Sequence, residues 1–132
     1  VRMGMMIGNE KLIGYARKSM PSFEVNAIAL KFGEHMMQHT EMIDELMETE
    51  AEGKAWLLEE LTKRGYETTA SHGNFVFVLP KKTAQEVAEA LREKKILIKT
   101  FGNEFLKRHI RISTGSKKSM EYFLNAFLEV DN

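Results

Sequence analysis

Arg111 is the residue whose setting most suggests chemistry. It stands between Ile110 and Ile112, just before Thr114 and Gly115. Alternation of apolar and polar residues marks a strand with one buried face. A guanidinium held on a strand is pre-organised for a bidentate contact with a carboxylate or phosphate. The same pattern also fits an arginine on the strand's wet face. Arg2 is a second case, a lone cation in the apolar run from Val1 to Ile7, beside Gly4. It either snorkels from a strand end or ligates an anion. Asn74 closes the polar stretch Ser71-His72-Gly73-Asn74 ahead of an apolar run, where it serves a turn or touches a ligand. Lys99 belongs to a locally basic C-terminal half, with Lys94, Lys95, Lys107, Arg108, Lys117 and Lys118. Such a set either binds phosphates in a salt-dependent way or keeps a surface soluble.

Other spacings carry less. His35 and His39 lie four apart and share a helix face, half of a possible metal site. They lack the H-E-x-x-H form and an evident third ligand, so an exposed polar pair is the expectation. The acidic run from Glu41 to Glu52 has helical periodicity and reads as a solvated face. No Ser–His–Asp order and no phosphate-cradling glycine loop stands out.

The elements that must position these residues follow from the pattern. Val1–Ile7 reads as a strand. Asn9 caps a helix that ends before Pro21, because the residue before proline avoids the α region. Asn26 starts a second helix, with Gly33 weakening it. A third runs from Thr40 to Arg64 with an apolar stripe at Met42, Ile43, Leu46, Met47, Ala51, Ala55, Leu57, Leu58 and Leu61, and Gly65 terminates it. Residues 66–70, 74–79, 96–99 and 109–113 read as strands. Thr83-Ala84-Gln85-Glu86 is a capping box, and Ser116 caps a last helix. The second half is thus β-β-α-β-β-α, an α+β unit with a short, mainly antiparallel sheet. A lone first strand cannot stabilise itself, so its partners belong to another chain or segment.

Composition narrows the classes. The 132 residues carry 19 basic and 19 acidic side chains, a neutral balance that disfavours a dedicated nucleic-acid binder. With 43% hydrophobic and 29% charged residues, the chain suits a folded domain rather than a disordered one. No apolar run approaches the ~20 residues of a membrane helix. The absence of Cys removes disulfides, thiolate metal sites and cysteine nucleophiles, and fits a reducing, cytoplasmic setting.

Taken in order, the motifs resemble one family. Arg-x-Gly at 2–4, Ile-Gly-Asn-Glu-Lys-Leu-Ile at 7–13, Pro-Ser-Phe-Glu-Val-Asn at 21–26, a long acidic helix pair, Ser-x-x-Asn-Phe-Val-Phe-Val at 71–78 and Ile-Arg-Ile-Ser-Thr-Gly at 110–115 are similar to the C-terminal part of class I/II, fold-type I aminotransferases. These use pyridoxal phosphate, and the histidinol-phosphate aminotransferase-like branch is the nearest. The resemblance covers Arg2 to Glu129. It implies that Arg2 binds the cofactor phosphate and that Arg111 grips the substrate α-carboxylate. Asn74 matches an asparagine common in the branch, whose role is structural or site-adjacent. Lys99 falls where the branch usually has an arginine near the substrate phosphate. A lysine is a point charge and not a planar fork, so histidinol phosphate is not carried over as the substrate. Met5 replaces the usual aromatic.

The resemblance further implies a large-domain remnant at 1–25, bridging helices at 26–65 and a small C-terminal domain at 66–132. The Schiff-base lysine of the family lies upstream of the position matching Arg2. Transamination needs it to hold the cofactor and move the proton, so the chain alone is expected to be inactive and without bound cofactor. The parent is expected to be a homodimer taking an amino donor and a 2-oxo acid, with no nucleic-acid or membrane partner. Two other classes stay open on the residues alone. One is a free-standing α+β binding or regulatory module, and the other is a nucleic-acid binder working through the basic residues.

Overall fold

The computed structural model describes residues 4, 6–20 and 25–132. Arg2 and most of the expected first strand lie outside the described residues; of that segment, Gly4, Met6 and Ile7 are described and form no strand. The chain divides into two compact units, Val1–Asp44 and Glu45–Asn132.

The first unit is helical. Helix α1 spans Glu10–Lys18, and the Asn9 side chain accepts the Lys11 amide at its start, 2.9 Å away. Helix α2 spans Ala27–Gln38, capped by Asn26, which accepts the Ala29 amide at 2.8 Å. Each cap satisfies one of the amides that a helix start leaves unpaired. Only Ala29 is buried on α2, whereas Ile28, Leu30, Phe32 and Met37 are exposed.

Helix α3 spans Thr40–Lys63 and runs into the second unit. Its buried stripe is Gly53, Leu57 and Leu61. This is narrower than the expected stripe: Ala51, Ala55, Leu46 and Met47 are exposed. Gly65, at φ 78°, ends the helix. The Gly65 amide meets the Thr62 carbonyl and the Tyr66 amide meets the Leu61 carbonyl, a Schellman close.

Three antiparallel strands follow in the order β1 (Glu67–Ala70), β2 (Phe75–Leu79) and β3 (Ile110–Ser113). Helix α4 (Ala84–Glu93) lies between β2 and β3 in sequence, and α5 (Lys117–Val130) closes the chain. Val76 pairs with Ile112 and Val78 with Ile110. These four side chains are buried with Leu57 and Leu61 of α3, Val87 and Leu91 of α4, and Phe123 and Phe127 of α5. The helices therefore cover one sheet face, and the α+β expectation holds.

The expected strand at 96–99 is not formed. Helix α4 ends through Lys95 in the left-handed region, at φ 65°, with the Ile96 amide bonded back to the Leu91 carbonyl. Leaving in that direction, the chain tucks Ile96 and Ile98 against the core. It reaches the sheet edge only at Lys99, which makes a single antiparallel bridge with Arg111.

Candidate functional site

Register decides which side chains share the uncovered face. Phe77 lies opposite Arg111, and Phe75 opposite Ser113. On its other edge Arg111 exchanges both backbone bonds with Lys99, at 2.8 and 3.1 Å. Residues directly opposite point to the same side, with Cα atoms about 5.5 Å apart in a bonded pair. Arg111 and Lys99 are thus two neighbouring cations on the sheet face opposite α3, α4 and α5. Among the described residues neither forms an ion pair with a carboxylate.

An aromatic row supports them. The Arg111 guanidinium carbon lies 5.1 Å from the Phe75 ring centre, and the Lys99 ammonium 5.9 Å from that of Phe101. Phe77 joins the two, 5.6 Å from Phe75 and 5.7 Å from Phe101. Stacking on a ring holds a guanidinium without using up its N–H donors. Two adjacent cations repel each other, and an anion placed against them relieves that repulsion.

Asn74 is brought to the same end of the sheet through its backbone. Its carbonyl accepts the Thr114 amide at 2.9 Å, which ties the entry of β2 to the exit of β3. Its side chain is exposed. Arg2 lies outside the described residues. His35 and His39 have ring centres 4.4 Å apart, and His39 meets Glu41 at 3.1 Å; no cluster of three metal-ligating side chains occurs among the described residues.

Glu50 and Phe101 contribute without any local signal in the sequence, and Gly53 contributes with one. The acidic run was expected to be solvated, yet Glu50 accepts the Thr114 hydroxyl. Phe101 joins Phe75 and Phe77 only once Lys99 is paired with Arg111. Gly53 carried a signal, since glycine inside a long helix costs about 1 kcal/mol relative to alanine and needs a compensating reason.

The family model described as Aminotransferase class I and II matches residues 1–127. A histidinol-phosphate aminotransferase of Nitratidesulfovibrio vulgaris (Hildenborough) is 31% identical over 130 residues, 98% of this chain and 35% of that protein. One from Geobacter sp. M21 is 29% identical over 131 residues, 98% of this chain and 37% of the relative. The chain therefore spans little more than a third of the length of these curated relatives. Among solved structures, a Burkholderia pseudomallei chain assigned as an aminotransferase superposes with TM-score 0.76 at 24% identity, over 95% of this chain and 38% of that one. That likeness bears on the fold alone. A family match that takes in β1 to β3, the Arg111–Lys99 pair and most of α5 leaves one reading of ancestry: the chain belongs to the class I and II aminotransferases.

Proposed function

We propose that the protein carrying this chain is a pyridoxal-phosphate-dependent aminotransferase of the histidinol-phosphate aminotransferase-like kind. It transfers an amino group between an amino acid or amino-alcohol phosphate and a 2-oxo acid, as a cytoplasmic homodimer. Residues 66–132 serve as its small C-terminal domain, with bridging helices at 26–65 and the edge of the large domain at 1–25. The observation that supports this best is the Arg111–Lys99 cation pair, unpaired with any described carboxylate and laid on an aromatic row.

The described residues suit the anionic part of a substrate. They do not make a cradle for the cofactor ring, and Arg2, assigned to the cofactor phosphate, lies outside the described residues. Pyridoxal phosphate, when bound, supplies the electron sink that lets nitrogen move between carbons. This chain supplies the substrate grip. Arg111 takes the α-carboxylate in a two-bond fork, fixing where the α-carbon sits. Lys99 faces a second anionic group or shares the first, and Asn74 borders the same site. The lysine that holds the cofactor in this family is assigned upstream of position 2, so the chain by itself catalyses neither half-reaction.

In the full-length protein, Arg111→Ala should lower kcat/KM for L-glutamate about a hundredfold, because it leaves a desolvated carboxylate without its partner. Near-normal kcat/KM in that variant would contradict the reading.

A further inference from the structure

The two loops at the Arg111 end of the sheet are both held by one face of α3. Glu50, Gly53 and Lys54 are spaced i, i+3 and i+4, so they lie together on that face. Lys54 donates to the carbonyls of Ser71 and Gly73, at 2.6 and 2.5 Å, in the turn that leads to Asn74. Glu50 accepts the Thr114 hydroxyl, and the Thr114 amide is bonded to Asn74. Gly53 is buried between them. A Cβ at Gly53 would run into the Gly115 carbonyl oxygen and stand 2.7 and 2.8 Å from the backbone of Ser116 and Lys117. All three obstacles are backbone atoms, which cannot turn aside as a flexible side chain does. Three adjacent α3 positions therefore fix the backbone on both sides of the strand end that carries Arg111.

We propose that Glu50, Gly53 and Lys54 are positioning residues, acting through the loops 71–74 and 114–116 to hold Arg111 at the distance a substrate carboxylate needs. The inference rests on the reading of Arg111 as the carboxylate ligand. Orientation errors of the order of 1 Å far from the reacting atoms can cost about a hundredfold in rate, so a clamp of this kind has leverage. The loss of the Gly53 contact is a backbone displacement, whereas the loss of the Glu50 contact is one hydrogen bond. Gly53→Ala should thus be the more severe change.

The test is a double-mutant cycle in the full-length holoenzyme, with L-glutamate as the amino donor and 4-aminobutyrate, which lacks only the α-carboxylate, as the control. Glu50→Ala and Gly53→Ala should each lower kcat/KM for L-glutamate about tenfold or more in the wild-type background and by less than about twofold on top of Arg111→Ala. Their kcat/KM for 4-aminobutyrate should stay put. Glu50→Gln, which keeps an acceptor oxygen for Thr114, should restore most of the loss. If Gly53→Ala does not fold, Glu50→Ala and Thr114→Val complete the cycle. Effects of equal size in both backgrounds, or equal losses with both donors, would overturn the positioning role while leaving Arg111 as the ligand. An Arg111→Ala variant with unchanged kcat/KM would instead remove the ligand reading, and the positioning role with it.

Discussion

A guanidinium over Phe75 and an ammonium over Phe101 sit side by side on one sheet face. Their usefulness depends on the rings beneath them. Phe75→Leu keeps apolar volume but removes the cation–π support, worth about 0.5–1 kcal/mol at a partly exposed site. The expected result is a rise in KM for an anionic donor of about three- to fivefold, with kcat little changed. Steady-state kinetics on the full-length variant checks it, and an unchanged KM would mean that the ring does not orient Arg111. Arg111 was legible in the sequence because Ile110 and Ile112 flank it with period two. The aromatic row was not, because Phe101 lies outside any regular element and joins Phe77 only through the Lys99 bridge. Glu50 was hidden for a related reason. In an acidic helical run, nothing local separates the one carboxylate that meets a loop from those that meet water.

The helix ends show how local chemistry sets element boundaries. Asn9, Asn26, Thr83 and Ser116 all cap as their types predict, and Thr83 forms the complete capping box with Glu86. That pairing, through the Thr83 hydroxyl and amide, holds the Glu86 carboxyl below its ordinary pKa. The end of α4 departs from preference. Gly65 occupies the left-handed position after α3, but Lys95 occupies the equivalent one after α4. A side chain in that conformation costs roughly 1 kcal/mol or more relative to glycine. Lys95→Gly should therefore stabilise the second unit by about 1 kcal/mol, and Gly65→Ala should destabilise it by a similar amount. Urea unfolding midpoints measure both. The same left-handed exit explains why residues 96–99 disappoint their strand-like composition. β-propensity favours a strand only where the chain arrives alongside an edge, and here a single residue does.

At the scale of the whole molecule, the two units contrast in how they bury apolar surface. The second has a continuous core in which Tyr66, Phe123 and Phe127 pack ring against ring. Buried Asp131 accepts the Lys81 and Lys82 amides, at 3.0 and 2.9 Å, and so ties the end of α5 to the segment after β2. The Tyr66 hydroxyl is buried with no hydrogen-bond partner among the described residues; burial, with the Asp131 carboxylate nearby, pushes its pKa up to about 12. The native state then keeps a proton that the unfolded chain has lost above its ordinary value of 10.0. Stability from this group is intact below pH 10 and is lost as pH rises toward 12. Tyr66→Phe should flatten that fall, which melting curves at pH 9 and 11 would show. The first unit instead exposes Ile28, Leu30, Phe32 and Met37. The isolated chain should therefore self-associate, and light scattering should give a mass that rises with concentration. A constant monomer mass would count against it. The fold class was readable because periodicity switches from helical to alternating at Tyr66.

The role of Arg111 turns on where a substrate carboxylate sits. The most direct measurement is a crystal structure of the full-length protein with an α-amino acid bound. Both carboxylate oxygens should lie within about 2.7–2.9 Å of the Arg111 guanidinium, in a fork over the Phe75 ring. A carboxylate held by other residues, with the Arg111 side chain turned to solvent, would contradict it.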